Sequence, residues 1–508
     1  MSSLTAKPQA HSQPPKQRRL GVLAIAFMIV AASAPLTVIA GGATTAYSVT
    51  HSTGVPFGYI VLAVVLAIFA VGYAAMSRFI TNAGAFYSYV AQGIGRSTGV
   101  GTSILALITY NVMQIGIYGM FGFQLSDFIE SKTGWASPWW LWVFLCIIVV
   151  GVLGMNRIDL SAKILGILVA LEFVVVIVFD VVGFDKPTEG FTAAPIGPGA
   201  LLATGMGAVL VFGVAAFMGF EQAAIYGEES KDPKRTVARA TFLAVCVIGV
   251  FYAISSWALA NAVGPKKILD PAGISGDEAG PPLFFNFVGA HLGGFWIDIM
   301  SILFLTSLFA ALQSFHNAVA RYVFSLGREG VLPKGLSRTG ERSRAPWAGS
   351  LTQSVVAIVV IIGFAIGGIG WDTAAKGPFP VVTLFNWLTN LGAFGLVLLM
   401  IVVSVAVVAY FARTQRDVGI GSRLVAPILS FILLVIIWVL ILLNWNVLLG
   451  QENSNLMTFL LPAILIVPPI IAGLWATTLK KSKPEVYARI GRGAQLGEVG
   501  HVPADSTE

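Results

Sequence analysis

The chain has 508 residues, of which 56% are hydrophobic and only 11% charged, with a mean hydropathy of +0.83. Soluble domains carry roughly 25% charged residues, so this composition excludes a soluble protein. The net charge of +7 and pI near 9.3 do not indicate a nucleic-acid partner, because Lys and Arg cluster at the ends of apolar blocks, where membrane topology accounts for them.

Met1 to Arg19 is polar and Pro/Gln-rich, with Lys16, Arg18 and Arg19 next to the first apolar block, and reads as a disordered cytoplasmic N-terminus (1–19). The apolar run from Leu20 to about Tyr47 is too long for a signal-peptide core, so an uncleaved first span is expected. Twelve blocks are long enough to cross a bilayer, at about 20–48, 56–78, 97–128, 138–156, 160–183, 201–226, 237–262, 292–324, 347–369, 380–411, 424–445 and 456–479. With the N-terminus inside, 26 of the 31 Lys and Arg residues fall on the inner side and five (Lys132, Lys186, Lys266, Lys267, Lys376) on the outer, so both termini are expected in the cytoplasm. The Gly/Pro-rich outer loop at about 263–291, with Asp270, Asp277 and Glu278, is either a cap over an external vestibule or a simple connector. After Leu479 a basic and then polar tail (480–508) reads as cytoplasmic and mostly disordered. Cys146 and Cys246 lie inside apolar blocks, where they form neither a metal spacing nor a disulfide framework.

Two blocks carry signs of interruption. In the first, Ser33-Ala34-Pro35-Leu36-Thr37 precedes Gly41-Gly42; Pro35 lacks an N–H and clashes with the preceding turn, so the helix is expected to kink or open there. An ordinary proline kink in a packing helix would leave the same trace. In the sixth, Gly205, Gly207, Gly213 and Gly219 lead to Phe217-Met218-Gly219-Phe220-Glu221, and each Gly weakens a helix by about 1 kcal/mol. Glu221 and Glu172 lie deep in spans, where a charge is costly and normally faces a bundle interior or an aqueous path. Interruptions five spans apart are what an inverted five-helix repeat would produce.

The run Phe217 to Ala224, followed by Glu228 to Thr236, resembles the signature of the amino acid–polyamine–organocation superfamily, of the bacterial amino acid permease type. Asn317 to Arg321 with Gly327 to Pro333, and Ala83 to Tyr89, are similar to further motifs of that family in the same span order. The resemblance covers about 20–480 and implies an all-α membrane fold of the LeuT type, with twelve transmembrane helices. Two inverted five-helix repeats (20–183 and 201–411) would be followed by two peripheral helices (424–479). It also implies a permease that binds substrate between the unwound parts of spans 1 and 6. The matching positions are Ser33, Ala34, Pro35, Leu36 and Thr37 on span 1, and Ala215, Ala216, Phe217, Met218 and Gly219 on span 6. Gln114 on span 3 matches a polar site residue, with Tyr110 one turn earlier, and Phe315 on span 8 matches an inner-gate aromatic. Where relatives use a Gly-Ser-Gly-like segment to hold a substrate carboxylate, this chain has Pro35-Leu36-Thr37, leaving the neighbouring amides and the Thr37 hydroxyl for that work. On span 5 some proton-coupled relatives carry a Lys where this chain has Glu172, which makes Glu172 a candidate proton-binding group, with a hydrogen-bonded structural Glu as the other reading.

The sequence-level conclusion is a plasma-membrane secondary transporter for amino acids, expected to run by proton symport. An amino acid/product exchanger and a polyamine or small-amine carrier are the alternatives. Glu221 is either an inner-pathway carboxylate or a clamp on the unwound backbone of span 6; His316 is either a hydrogen-bonded core residue or a proton relay. The expected partners are the substrate, a proton and the lipid bilayer, with a monomer or homodimer as the unit. No zinc or phosphate-loop spacing suggests a metal, a cofactor or an enzyme.

Overall fold

The computed structural model describes residues 21–80, 85–156, 162–202, 205–221, 233–274, 276–341, 343, 345–414, 416–450 and 454–491. The expected N-terminal segment 1–19, the signature stretch 222–232, Ala83 and Gly84, and the tail from 492 onward lie outside the described residues. All regular structure among the described residues is helical. That follows from the apolar blocks, since within hydrocarbon a backbone must satisfy its own hydrogen bonds.

In chain order the helices are α1 (Val22–Ser33), α2 (Thr44–Thr50), α3 (Val55–Ser77), α4 (Ala85–Gly93), α5 (Arg96–Thr133), α6 (Trp139–Asn156) and α7 (Ala162–Asp185). The short α8 (Pro198–Leu201) precedes α9 (Met206–Phe217) and α10 (Pro233–Val263). Two short helices, α11 (Pro265–Leu269) and α12 (Pro282–His291), lead to α13 (Gly294–Glu329) and α14 (Trp347–Gly367). Then come α15 (Thr373–Lys376), α16 (Asn386–Thr414), α17 (Ala426–Leu443), α18 (Trp445–Leu448), α19 (Leu456–Ser482) and α20 (Pro484–Arg489). Several helices start where proline fits the first turn, as at Pro56, Pro427 and Pro484. The long α5 and α13 stop at Gly134 and Gly330, whose φ values of 71° and 85° are the left-handed caps that glycine adopts without strain.

Among the described residues, ten helices are long and apolar enough to cross a bilayer. The first and sixth apolar blocks are absent from that set because each is broken. Block one divides into α1, a π-helical stretch Thr37–Ala43, and α2; the described residues 205–221 of block six hold the 12-residue α9, which ends at Phe217. The other blocks match single helices, often longer than expected, as with α5 to Thr133 and α13 to Glu329. The membrane-spanning windows of α5 and of Pro380–Thr414 are each 78% buried, whereas that of α19 is 11% buried. The former therefore form the centre of the bundle, and α19 lies at its rim.

The outer loop is folded. Glu189 accepts from the Lys266 and Lys267 amides at 2.9 and 3.0 Å, capping α11, and the Gly280 amide donates 2.9 Å to Ser48 Oγ at the end of α2. The tail beyond 479, expected to be mostly disordered, is ordered in its first residues. Lys480 to Ser482 continue α19, and α20 folds back so that Ile490, 2% exposed, packs with Ala91, Val100 and Leu326. The apolar Tyr487 and Ile490 in an otherwise polar tail give it something to bury.

Candidate functional site

The first helix ends at Ser33 and restarts after Ala34, which has φ 50°. A non-glycine residue there costs about 1–2 kcal/mol, so surrounding contacts must hold it. Those contacts are hydrogen bonds to the freed backbone. Tyr252 OH from α10 lies 3.1 Å from the Ser33 carbonyl and 3.0 Å from Ser33 Oγ, which in turn donates to the Val30 carbonyl at 2.7 Å. Beyond the break, the Leu36 amide donates to Glu172 Oε2 at 3.2 Å. Ser307 Oγ on α13 donates to the same carboxylate oxygen at 2.8 Å, and Thr37 Oγ1 donates to Ser307 Oγ at 2.9 Å. Glu172, 2% exposed, thus joins α7, α13 and the restarted helix at one point.

At the other broken span, α9 runs to Phe217 and the chain then extends through Met218 (ψ 130°) and Gly219 (φ 113°). Glu221, 1% exposed, turns back on this stretch. Its Oε2 accepts from the Gly219 amide at 2.9 Å, its Oε1 accepts from Tyr110 OH at 2.7 Å, and its carbonyl accepts from Tyr73 OH at 2.9 Å. The two breaks face each other: a Cβ at Gly219 would sit 3.4 Å from Ala32 Cβ.

Between the breaks lies a narrow cavity of about 50 Å³. Ser33, Ala34 and Thr37 line it from the first span, and Phe212, Ala215 and Ala216 from α9. Phe315 adds an aromatic wall, Met113 and Ile117 come from α5, Phe385 from a second π-helical stretch (Pro380–Phe385), and Thr389 from α16. Its lining among the described residues is apolar apart from hydroxyls and backbone, with no charged side chain.

The remaining sequence-derived candidates lie off this lining. Pro35 and Leu36 sit behind the break, and Phe217, Met218 and Gly219 are buried beyond Ala216. Gln114 is fully buried; its Nε2 donates to Tyr118 OH at 3.2 Å and lies 3.4 Å from His316 Nδ1, and its Oε1 accepts from Gln353. His316 Nε2 lies 2.6 Å from Ser350 Oγ, which donates to the Gly151 carbonyl at 3.2 Å, so one tautomer, protonated on Nε2, satisfies the ring. That makes His316 a hydrogen-bonded residue of a buried network joining α5, α6, α13 and α14. Neighbouring helix positions point about 100° apart, which is why Met113 reaches the cavity and Gln114 the network. Tyr110, one turn from Gln114, goes to Glu221 and has its ring 6.2 Å from Phe315.

Sequence reasoning missed Met113, Ile117, Phe385 and Thr389 because lining residues of central helices look like core. It also missed Ser307, which an alternation of small polar residues along α13 (Ser301, Ser307, Ser314) could have flagged. A third buried carboxylate, Asp180 on α7, accepts from Ser255 Oγ at 2.6 Å.

Two broken helices facing one another across an internal cavity, inside a bundle of membrane-crossing helices, define a multi-pass membrane transporter. The profile of the family described as amino acid permease matches residues 20–467, and the chain belongs to that family, within the superfamily that its motifs resemble. It is also similar to the branched-chain amino acid permease BcaP of Lactococcus lactis subsp. cremoris (strain MG1363). The two are 26% identical over 330 residues, covering 60% of this chain and 68% of that protein.

Proposed function

We propose that this permease carries neutral amino acids with apolar side chains, the branched-chain ones among them, across the plasma membrane by alternating access. The observation that carries this reading is the cavity wall: Met113, Ile117, Phe212, Phe315 and Phe385 suit an aliphatic side chain, with no carboxylate among the described residues to pair with a second ammonium group. A polyamine would need such carboxylates, and Glu172 and Glu221 are both engaged behind the breaks. The zwitterionic end has the broken backbone at Ala34 and the hydroxyls of Ser33, Thr37 and Thr389. At about 50 Å³ the cavity is far below the roughly 300 Å³ at which ligand pockets begin, so binding requires Phe212, Phe315 or their helices to move.

Glu172 is the proton-binding group in this reading. A proton on its carboxyl would weaken its hold on the Leu36 amide and so couple protonation to the geometry of the break. Exchange of substrate for product remains compatible with the same site and is separated by the test below. Both termini face the cytoplasm, the two inverted five-helix repeats move against each other, and a monomer or homodimer suffices.

The test is uptake of labelled leucine into proteoliposomes, with the twenty amino acids and putrescine as competitors and with or without an inward proton gradient. Leucine, isoleucine and valine should compete best, and the gradient should drive accumulation. Competition by putrescine alone would remove the reading, and gradient-independent counterflow would replace symport by exchange.

A further inference from the structure

Where α5 and α19 run side by side they leave a groove of about 540 Å³ on the outside of the bundle. Gly101 and Leu105 from α5, Leu465, Pro469 and Gly473 from α19, and Trp438 from α17 line it. Its rim is open, since Ile470 is 56% and Leu474 64% exposed. Two glycines on its floor let the helices approach closely and give the groove no side chain: a Cβ on Gly101 would sit 2.8 Å from the Pro469 carbonyl oxygen and 3.7 Å from Gly473 Cα, and one on Gly473 would sit 3.9 Å from Gly101 Cα.

Its dimensions select an occupant. From Leu465 to Thr477 the groove follows twelve residues of helix, about 18 Å, close to half of the roughly 30 Å hydrocarbon thickness. The mean cross-section is then about 30 Å², whereas a helix with its side chains is about 10–12 Å across. So narrow a groove suits one acyl chain of a single leaflet better than a helix of a second copy.

The open end is chemically different from the groove. Ser97, Thr98 and Thr477 stand at its mouth, beside a polar cavity of about 460 Å³ that Gln92, Arg96 and Tyr487 help to line. One turn beyond Thr477, on the same face of α19, come the exposed Lys480 and Lys481. Arg96 lies over the Tyr487 ring at 5.6 Å. No carboxylate lines either cavity among the described residues, and none of the ion pairs there involves these three cations.

We propose that this is a binding site for one anionic phospholipid, its acyl chain in the α5–α19 groove and its phosphate at Arg96, Lys480 and Lys481. The site is separate from the transport cavity, and the inference holds whichever substrate the permease carries.

Native mass spectrometry and thermal melting of the full chain in detergent test it, with phosphatidylglycerol, phosphatidylcholine of the same chains, and inorganic phosphate as probes. One phosphatidylglycerol per chain should be retained under conditions that strip phosphatidylcholine, with a higher melting temperature, and phosphate alone should do nothing. The combined Arg96→Gln, Lys480→Gln and Lys481→Gln variant should bring phosphatidylglycerol down to the phosphatidylcholine level. Gly473→Leu should abolish retention by filling the groove; if that variant does not fold, Ile470→Trp on the exposed rim fills it instead. Equal retention of the two lipids, a shift with phosphate matching that with phosphatidylglycerol, or a dimer that excludes lipid from the groove would each overturn the proposal.

Discussion

Glu172 Oε2 accepts two hydrogen bonds in a buried setting, from a main-chain amide and from a hydroxyl. That double duty separates two substitutions. Glu172→Gln keeps an acceptor oxygen for Leu36 and Ser307, so folding should be little changed while accumulation of leucine loses its dependence on the proton gradient and counterflow survives. Full gradient-driven uptake by this variant would remove Glu172 from the coupling scheme. Glu172→Ala leaves the Leu36 amide buried without a partner, which costs about 1–3 kcal/mol, and should lower the melting midpoint where the Gln variant does not. Tyr110→Phe makes the same point at the other break. It strips Glu221 Oε1 of its donor at a similar cost of about 1–3 kcal/mol, and melting of the purified variant reads it directly.

At the scale of elements, the two breaks were legible and their atomic form was not. Pro35 marks the first interruption, yet the residue that takes the left-handed conformation is Ala34, one position earlier. The reason is that proline fixes its own φ and starts the next helical segment, which pushes the irregularity onto its neighbour. Along α9 the glycines read as helix-weakening, but Gly207 and Gly213 have a packing purpose: a Cβ would collide with the Leu440 carbonyl oxygen at the first and with the Leu62 side chain at the second. Gly205, at φ 88° where α9 begins, and Gly219, at φ 113°, are there for their backbone. Sequence alone cannot separate these cases, because the partner that makes a glycine necessary lies hundreds of residues away. The same holds for the cavity: Ser33, Ala34, Thr37, Ala215, Ala216 and Phe315 could be named from the family resemblance, whereas Met113 and Ile117 depend on how α5 is rotated. Gly207→Ala, which must force α9 off α17, should destabilise by about 1–3 kcal/mol in thermal melting, as overpacking does. An unchanged midpoint would mean that the two helices can separate freely.

At the scale of the whole molecule, the short C-terminal helix α20 ties together elements that are far apart in sequence. The Gly491 amide donates to Glu329 Oε2 at 3.2 Å, and Tyr87 OH donates to Glu329 Oε1 at 2.8 Å, so α4, the end of α13 and the tail share one buried carboxylate. Ile490 fills the space between α4, α5 and α13, and Ser97 Oγ lies 3.3 Å from Tyr487 OH. Because α13 is one continuous helix of 36 residues, a restraint at Glu329 is felt at Phe315 and Ser307, which border the cavity and hold Glu172. Ile490→Ala should cost about 2–5 kcal/mol if the site does not collapse, and removal of the chain after Lys483 should lower the melting midpoint further. If the tail restrains α13, the truncated protein should also show faster leucine counterflow in proteoliposomes, since the restraint opposes any displacement of that helix. A truncated protein that melts and transports like the full chain would show that α20 only rests on the bundle, and that α13 is held by its lateral packing against α5, α6, α7 and α14.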